Sequence, residues 1–123
     1  MASIIASQVA YAMQAQRAAG LARVARVFKL TFPTSTTTSY ATGGVPLDKA
    51  RLGCPRNITS LRVLGRSPGP TAENPSYEWN GDSVNPTLVA FETNTAGSPA
   101  TEFDAATNYT QNGQVVFVEV EGY

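Results

Sequence analysis

The sequence predicts a mainly β protein. An antiparallel β-sandwich or barrel is expected over residues 27–123, preceded by an N-terminal α-helical arm over residues 1–26. Three observations carry this expectation. From Phe28 onward, apolar residues alternate with polar ones at period two. Glycine and proline interrupt these runs at intervals of about 8 to 15 residues, the punctuation of an all-β domain. Before residue 26 the composition shifts to alanine, with nine alanines in the first 25 residues.

The arm is read from propensity and spacing. Alanine is the best helix former, and Ile5, Val9 and Met13 recur every four residues as one apolar stripe. Ser3 and Ser7 are candidate caps, and Gly20 weakens the segment. A mostly alanine stripe buries little area, and isolated helices are marginal in water. Two readings stay open: an arm ordered only against a partner, and a helix packed on its own domain.

The body follows in order. Phe28, Leu30 and Phe32 alternate with Lys29 and Thr31 as a half-buried strand, ended by Pro33. Residues 34–39 are a polar β-branched loop or edge strand. Gly43, Gly44 and Pro46 mark a turn, and Asp48 to Leu52 one helical turn before Gly53. Ile58 to Leu64 is a second strand, and residues 65–75 are a loop rich in glycine and proline. Tyr77 and Trp79 precede Asn80-Gly81, a strong hairpin signal, with Leu88 to Phe91 as the return strand. In the closing run, Val116, Val118 and Val120 share one face. Val115 and Phe117 lie on the other, so this strand is expected at the centre of a sheet.

Composition excludes more than it suggests. The chain has 123 residues, enough for one domain with one core. It contains no histidine, which removes the commonest general base and metal ligand together. Cys54 is the single cysteine, so no intrachain disulfide forms. No apolar run of about 18 residues occurs, so no transmembrane helix is expected. The basic residues near the start follow the apolar ones, the reverse of a secretory signal.

The nine basic residues all lie at or before Arg66, while eight of the nine acids lie at or after Glu73. Residues 1–66 thus carry nine bases against Asp48, a net +8, and the remainder carries −8. Three arrangements satisfy this. Basic and acidic strands pair within one fold, one copy's basic half docks on another's acidic half, or the basic half meets nucleic acid. The first is the leading expectation, the second follows it, and the last is not expected.

Candidate chemistry is sparse. Glu73 with Glu78, or Glu102 with Asp104, are the carboxylate pairs that glycoside chemistry would need. Nothing in their spacing sets them across a cleft, and solvated loop acids explain them. Cys54 lies between Arg51 and Arg56, yet without a histidine partner it is expected to be a small buried hydrophobe. Glu78, Asn80 and Asp82 do not match a calcium loop. No enzyme activity, metal or cofactor is expected. Tyr11, Tyr40, Tyr77, Trp79, Tyr109 and Tyr123 are the aromatic candidates for a stacking platform, but they are scattered along the sequence and core and interface roles are expected. A carbohydrate-binding module using Tyr77 and Trp79 stays as one alternative.

The run Tyr40-Ala41-Thr42-Gly43-Gly44-Val45-Pro46-Leu47 is followed by Leu52-Gly53, the strand at Ile58 to Leu64 and the hairpin Tyr77-Glu78-Trp79-Asn80-Gly81. Phe103-Asp104 and the closing Val116-Phe117-Val118-Glu119-Val120-Glu121-Gly122-Tyr123 complete the order. This order resembles small structural proteins of tailed bacteriophages, of the type that decorates and cements the capsid. The resemblance covers residues 27–123. It implies a virion protein on the capsid surface, made in the host cytoplasm, with the major capsid protein as partner. It also implies self-association, as a homotrimer. A tail, baseplate or head-tail connector component is the alternative within the same group. Interface residues expected on this reading are Ile5, Val9 and Met13 on the arm, its charged Arg23 and Arg26, and Tyr77 and Trp79 on the body.

Overall fold

The structure is a computed structural model and describes residues 2–3, 5–18, 24–33, 38–40, 43–67, 76–92, 101–102 and 113–123. These form the strands β1 (Ala2–Ser3), β2 (Ala10–Ala18), β3 (Val24–Thr31), β4 (Thr38–Ser39) and β5 (Val45–Pro46). β6 (Ile58–Arg66), β7 (Ser76–Trp79), β8 (Thr87–Glu92), β9 (Thr101–Glu102) and β10 (Val115–Gly122) follow, and Ala6–Gln8 makes one 3-10 turn.

Two antiparallel sheets carry the fold. The first runs in the order β2-β3-β10-β6. The second runs β5-β8-β7, with β9 also paired to β8. β1 and β4 form a separate parallel pair. β10 lies between β3 and β6, the central place that its two apolar faces call for.

Register explains which residues enter the core. Phe28 faces Val118 and Leu30 faces Val116 across the β3–β10 ladder, and all four are buried. Strand alternation then sends Lys29, Phe117 and Glu119 to the opposite face. Val45, Tyr77, Leu88 and Ala90 of the second sheet join the same cluster, so both sheets share one core. At one end of it Gln114 is buried. Its Oε1 accepts from the Tyr77 hydroxyl at 2.5 Å, and its Nε2 donates to the Ser67 carbonyl at 3.1 Å.

The helical arm expected over residues 1–26 is not formed: Ala10–Ala18 is a strand. It pairs with β3 in the register Tyr11 to Leu30 and Met13 to Phe28. The reason lies in the spacing. A four-residue repeat is also a multiple of two, so Val9 and Met13, with Tyr11 between them, fit a strand as well as a helix. Alanine's helix preference is worth only tenths of a kcal/mol per residue over most alternatives. Pairing along β3 satisfies the backbone groups on one side of Ala10–Ala18 and packs Tyr11 against the body. The position near residue 26, expected to separate arm from body, falls inside β3.

Other expectations are met with adjustments. The helical turn at Asp48 to Leu52 forms, with Leu52 N donating to the Asp48 carbonyl and the Asp48 carboxylate accepting from Ala50 N. The Asn80-Gly81 hairpin is present, but its loop spans residues 80–86 rather than a two-residue turn. Asp82 organises that loop by accepting from Val84 N and Asn85 N, both at 2.9 Å. Gly81 has φ +81°, which a side chain would resist.

Candidate functional site: a free sheet edge

The first sheet ends in β2, which has β3 as its one neighbour among the described residues. Its described side chains are exposed except for Tyr11, which is half-buried. Residues Ala10 to Gln16 carry no charge, and the first charged group along the strand is Arg17. Soluble proteins usually blunt an edge of this length with charge or proline, because its backbone groups offer themselves to another strand. One blunting device is present. The ladder with β3 shifts register between Met13 and Ala15, and the Gln14 amide donates back to the Ala12 carbonyl at 3.2 Å.

Tyr11 fixes this edge to the body. Its hydroxyl accepts from Asp48 N at 2.7 Å and donates to the Ala6 carbonyl at 3.3 Å. The Arg51 guanidinium stands 5.0 Å from the ring centre, within cation–π range. Burial raises the Tyr11 phenol above its ordinary value, and the bond from Asp48 opposes that shift. β2 is therefore held in place against the body, while no described strand pairs with its outer margin.

Met13 is 55% exposed although its partner Phe28 is in the core. The apolar face of the first sheet thus extends past the region that the second sheet covers. Ile5, just before the 3-10 turn, is also 55% exposed. Val9, expected with them at an interface, is instead 1% exposed and part of the core. Arg26 is half-buried and donates to the Gly53 carbonyl at 3.3 Å, so it braces the turn after Leu52 rather than projecting outward. Arg23 lies outside the described residues.

Tyr77 belongs to the core and not to the surface: it is 4% exposed, with its ring edge-on to Phe32 at 5.7 Å. Trp79 is half-buried against the core and its indole donates to the Asp82 carbonyl at 3.2 Å. The two rings do not form an exposed platform. Sequence reasoning missed Ala10, Ala12, Ala15 and Gln16 as edge residues and Tyr11 as the anchor. The period-two set Val9, Tyr11 and Met13 was the available signal.

The outer face of the first sheet resolves part of the charge asymmetry. Glu119 of β10 receives Arg62 of β6 at 2.9 Å and Arg17 of β2 at 3.3 Å. Basic residues of the first half thus pair with an acid of the second half inside one chain.

Of the candidate carboxylates, Glu102 is engaged in holding a turn. Glu102 accepts from the Tyr40 hydroxyl at 2.5 Å and from Gly43 N at 2.6 Å, tying down the glycine turn. Burial first, then the bond to Glu102, pushes the Tyr40 phenol well above its ordinary value. Glu78 is exposed on β7, while Glu73 and Asp104 lie outside the described residues. Cys54 is fully buried. Burial raises its thiol, with the Arg26 charge offsetting part of that rise. No family model, curated protein or solved structure matches this chain.

Proposed function

We propose that this chain is a non-catalytic structural protein of a tailed-phage virion. On this reading it lies on the outer capsid surface and bridges subunits of the major capsid protein. The observation that carries the docking role is β2: nine residues long, unpaired along one margin among the described residues, neutral from Ala10 to Gln16 and anchored by Tyr11. An edge of this kind adds a strand to, or receives one from, another protein, with backbone hydrogen bonds supplying affinity. The capsid assignment comes from the motif resemblance over residues 27–123.

The body suits such a role as a β-sandwich. β2 and β6, the margins of the first sheet, pair with no strand of the second among the described residues. This supports the reading of two layers around a shared core over that of a closed barrel. A stiff body with a free margin is what a cementing subunit requires. A sugar-binding role draws no support from Tyr77, whose ring is in the core.

The test is to mix the purified chain with shells of the phage that encodes it and image them by cryo-electron microscopy. Regular density on the outer shell supports the reading. A bare shell, with the chain at the tail instead, favours the baseplate or connector alternative.

A further inference from the structure

We infer that β2 pairs antiparallel with β2 of a second copy about a two-fold axis at Met13, joining the two first sheets into one eight-stranded sheet. This rests on the reading of β2 as a docking edge and names its occupant.

Length and charge select that occupant. Among the described strands only β6 matches the nine residues of β2; β7 has four, and β5 and β9 have two each. β6 carries Arg62 and Arg66, so a β2–β6 contact would gather like charges with Arg17. β5 includes Pro46, which cannot donate to a ladder. A second β2 matches in length and adds no charge over its neutral stretch.

Charge also sets direction and register. The neutral stretch Ala10 to Gln16 has Met13 at its midpoint. Antiparallel pairing about Met13 puts the two Arg17 residues at opposite ends, whereas parallel pairing in register would set them side by side. The same register brings the two exposed Met13 side chains together and covers apolar surface that each copy leaves in water. The resulting contact is isologous, with the same surface on both copies. It is two-fold, so a threefold arrangement on a capsid would need a second kind of contact.

One strand pair is smaller than the roughly 800 Å² per partner of a standard stable interface. Association is therefore weak in dilute solution and strengthened where a surface concentrates many copies.

Cysteine cross-linking of the full chain tests geometry and existence together. Directly opposed residues in an antiparallel pair lie about 5 Å apart at Cα, within disulfide reach. In the Met13→Cys variant, mild oxidation at high concentration should yield a covalent dimer. In Gln16→Cys the same register separates the two cysteines by roughly 20 Å, and no dimer should form. Both sites are exposed, and circular dichroism verifies the fold. Cross-linking of Gln16→Cys, or of neither variant, overturns the pairing. So does a wild-type chain that sediments as a monomer up to millimolar concentration. A monomeric chain that still decorates shells would overturn this inference alone. A dimer that ignores shells would leave it standing and remove the capsid reading.

Discussion

The Tyr77 hydroxyl donates a 2.5 Å hydrogen bond to Oε1 of Gln114, linking β7 of the second sheet to the residue that enters β10 of the first. Both residues are buried, so water does not compete for the bond. Removing one partner of such a pair costs more than a surface bond, because the other keeps its desolvation penalty. Tyr77→Phe is expected to lower stability by about 1–3 kcal/mol. Urea unfolding should show this as an earlier midpoint at an unchanged slope.

Glycine at 122 is a second fixed point. A Cβ there would press into the Asn57 carbonyl oxygen and lie 2.7 Å from the Cys54 sulfur. Gly65, on the neighbouring β6, faces open space. Gly122→Ala should therefore destabilise by at least the roughly 1–3 kcal/mol typical of overpacking. Gly65→Ala should be neutral or stabilising by up to about 1 kcal/mol. Paired thermal melts of the two variants check the contrast.

Much of this was legible in the sequence, and the reason is period. Phe28, Leu30 and Phe32, and Val116, Val118 and Val120 of β10, alternate strictly enough that their burial follows from spacing alone, whereas in β6 the buried Ile58 and Leu61 are three residues apart. β2 was not legible as a strand, because Ile5, Val9 and Met13 are spaced by four, which both periods accept, and alanine tipped the balance to helix. Tertiary pairing with β3 overrode that preference. The site followed the same pattern. Met13 and Ile5 are exposed, whereas Val9 and Tyr77 are apolar residues that the core claimed. Sequence alone does not distinguish a buried from an exposed apolar side chain at a sheet margin.

The Tyr11 anchor predicts a local effect. Tyr11→Phe removes the acceptor of Asp48 N and the donor to the Ala6 carbonyl while keeping the ring under Arg51. The expected cost is about 1–2 kcal/mol. Amide exchange should quicken at Asp48 and along Ala10 to Met13, with β10 little changed.

Asp82 predicts a pH dependence. Its carboxylate accepts from Asn85 N and Val84 N, and these bonds hold its folded pKa below the ordinary 3.8. A depressed folded value means that the unfolded chain binds the proton first, so stability falls with acidification. The contribution is fully present above about pH 4 and is lost as pH drops through the folded value. Asp82→Asn should melt below the wild type at neutral pH, and the gap should close in strong acid. A gap that is constant across this range would show that the charge is irrelevant to the loop.

The central claim is that the β2 margin pairs with a strand of another copy, and that this pairing among copies concentrated on a shell holds the chain there. Co-sedimentation of the wild type and of Met13→Lys with phage shells tests it most directly. Met13 is exposed, so the lysine leaves the fold intact while placing a charge on the edge. The account predicts that the wild type pellets with the shells and that Met13→Lys stays in the supernatant. Equal pelleting of the two proteins would contradict it.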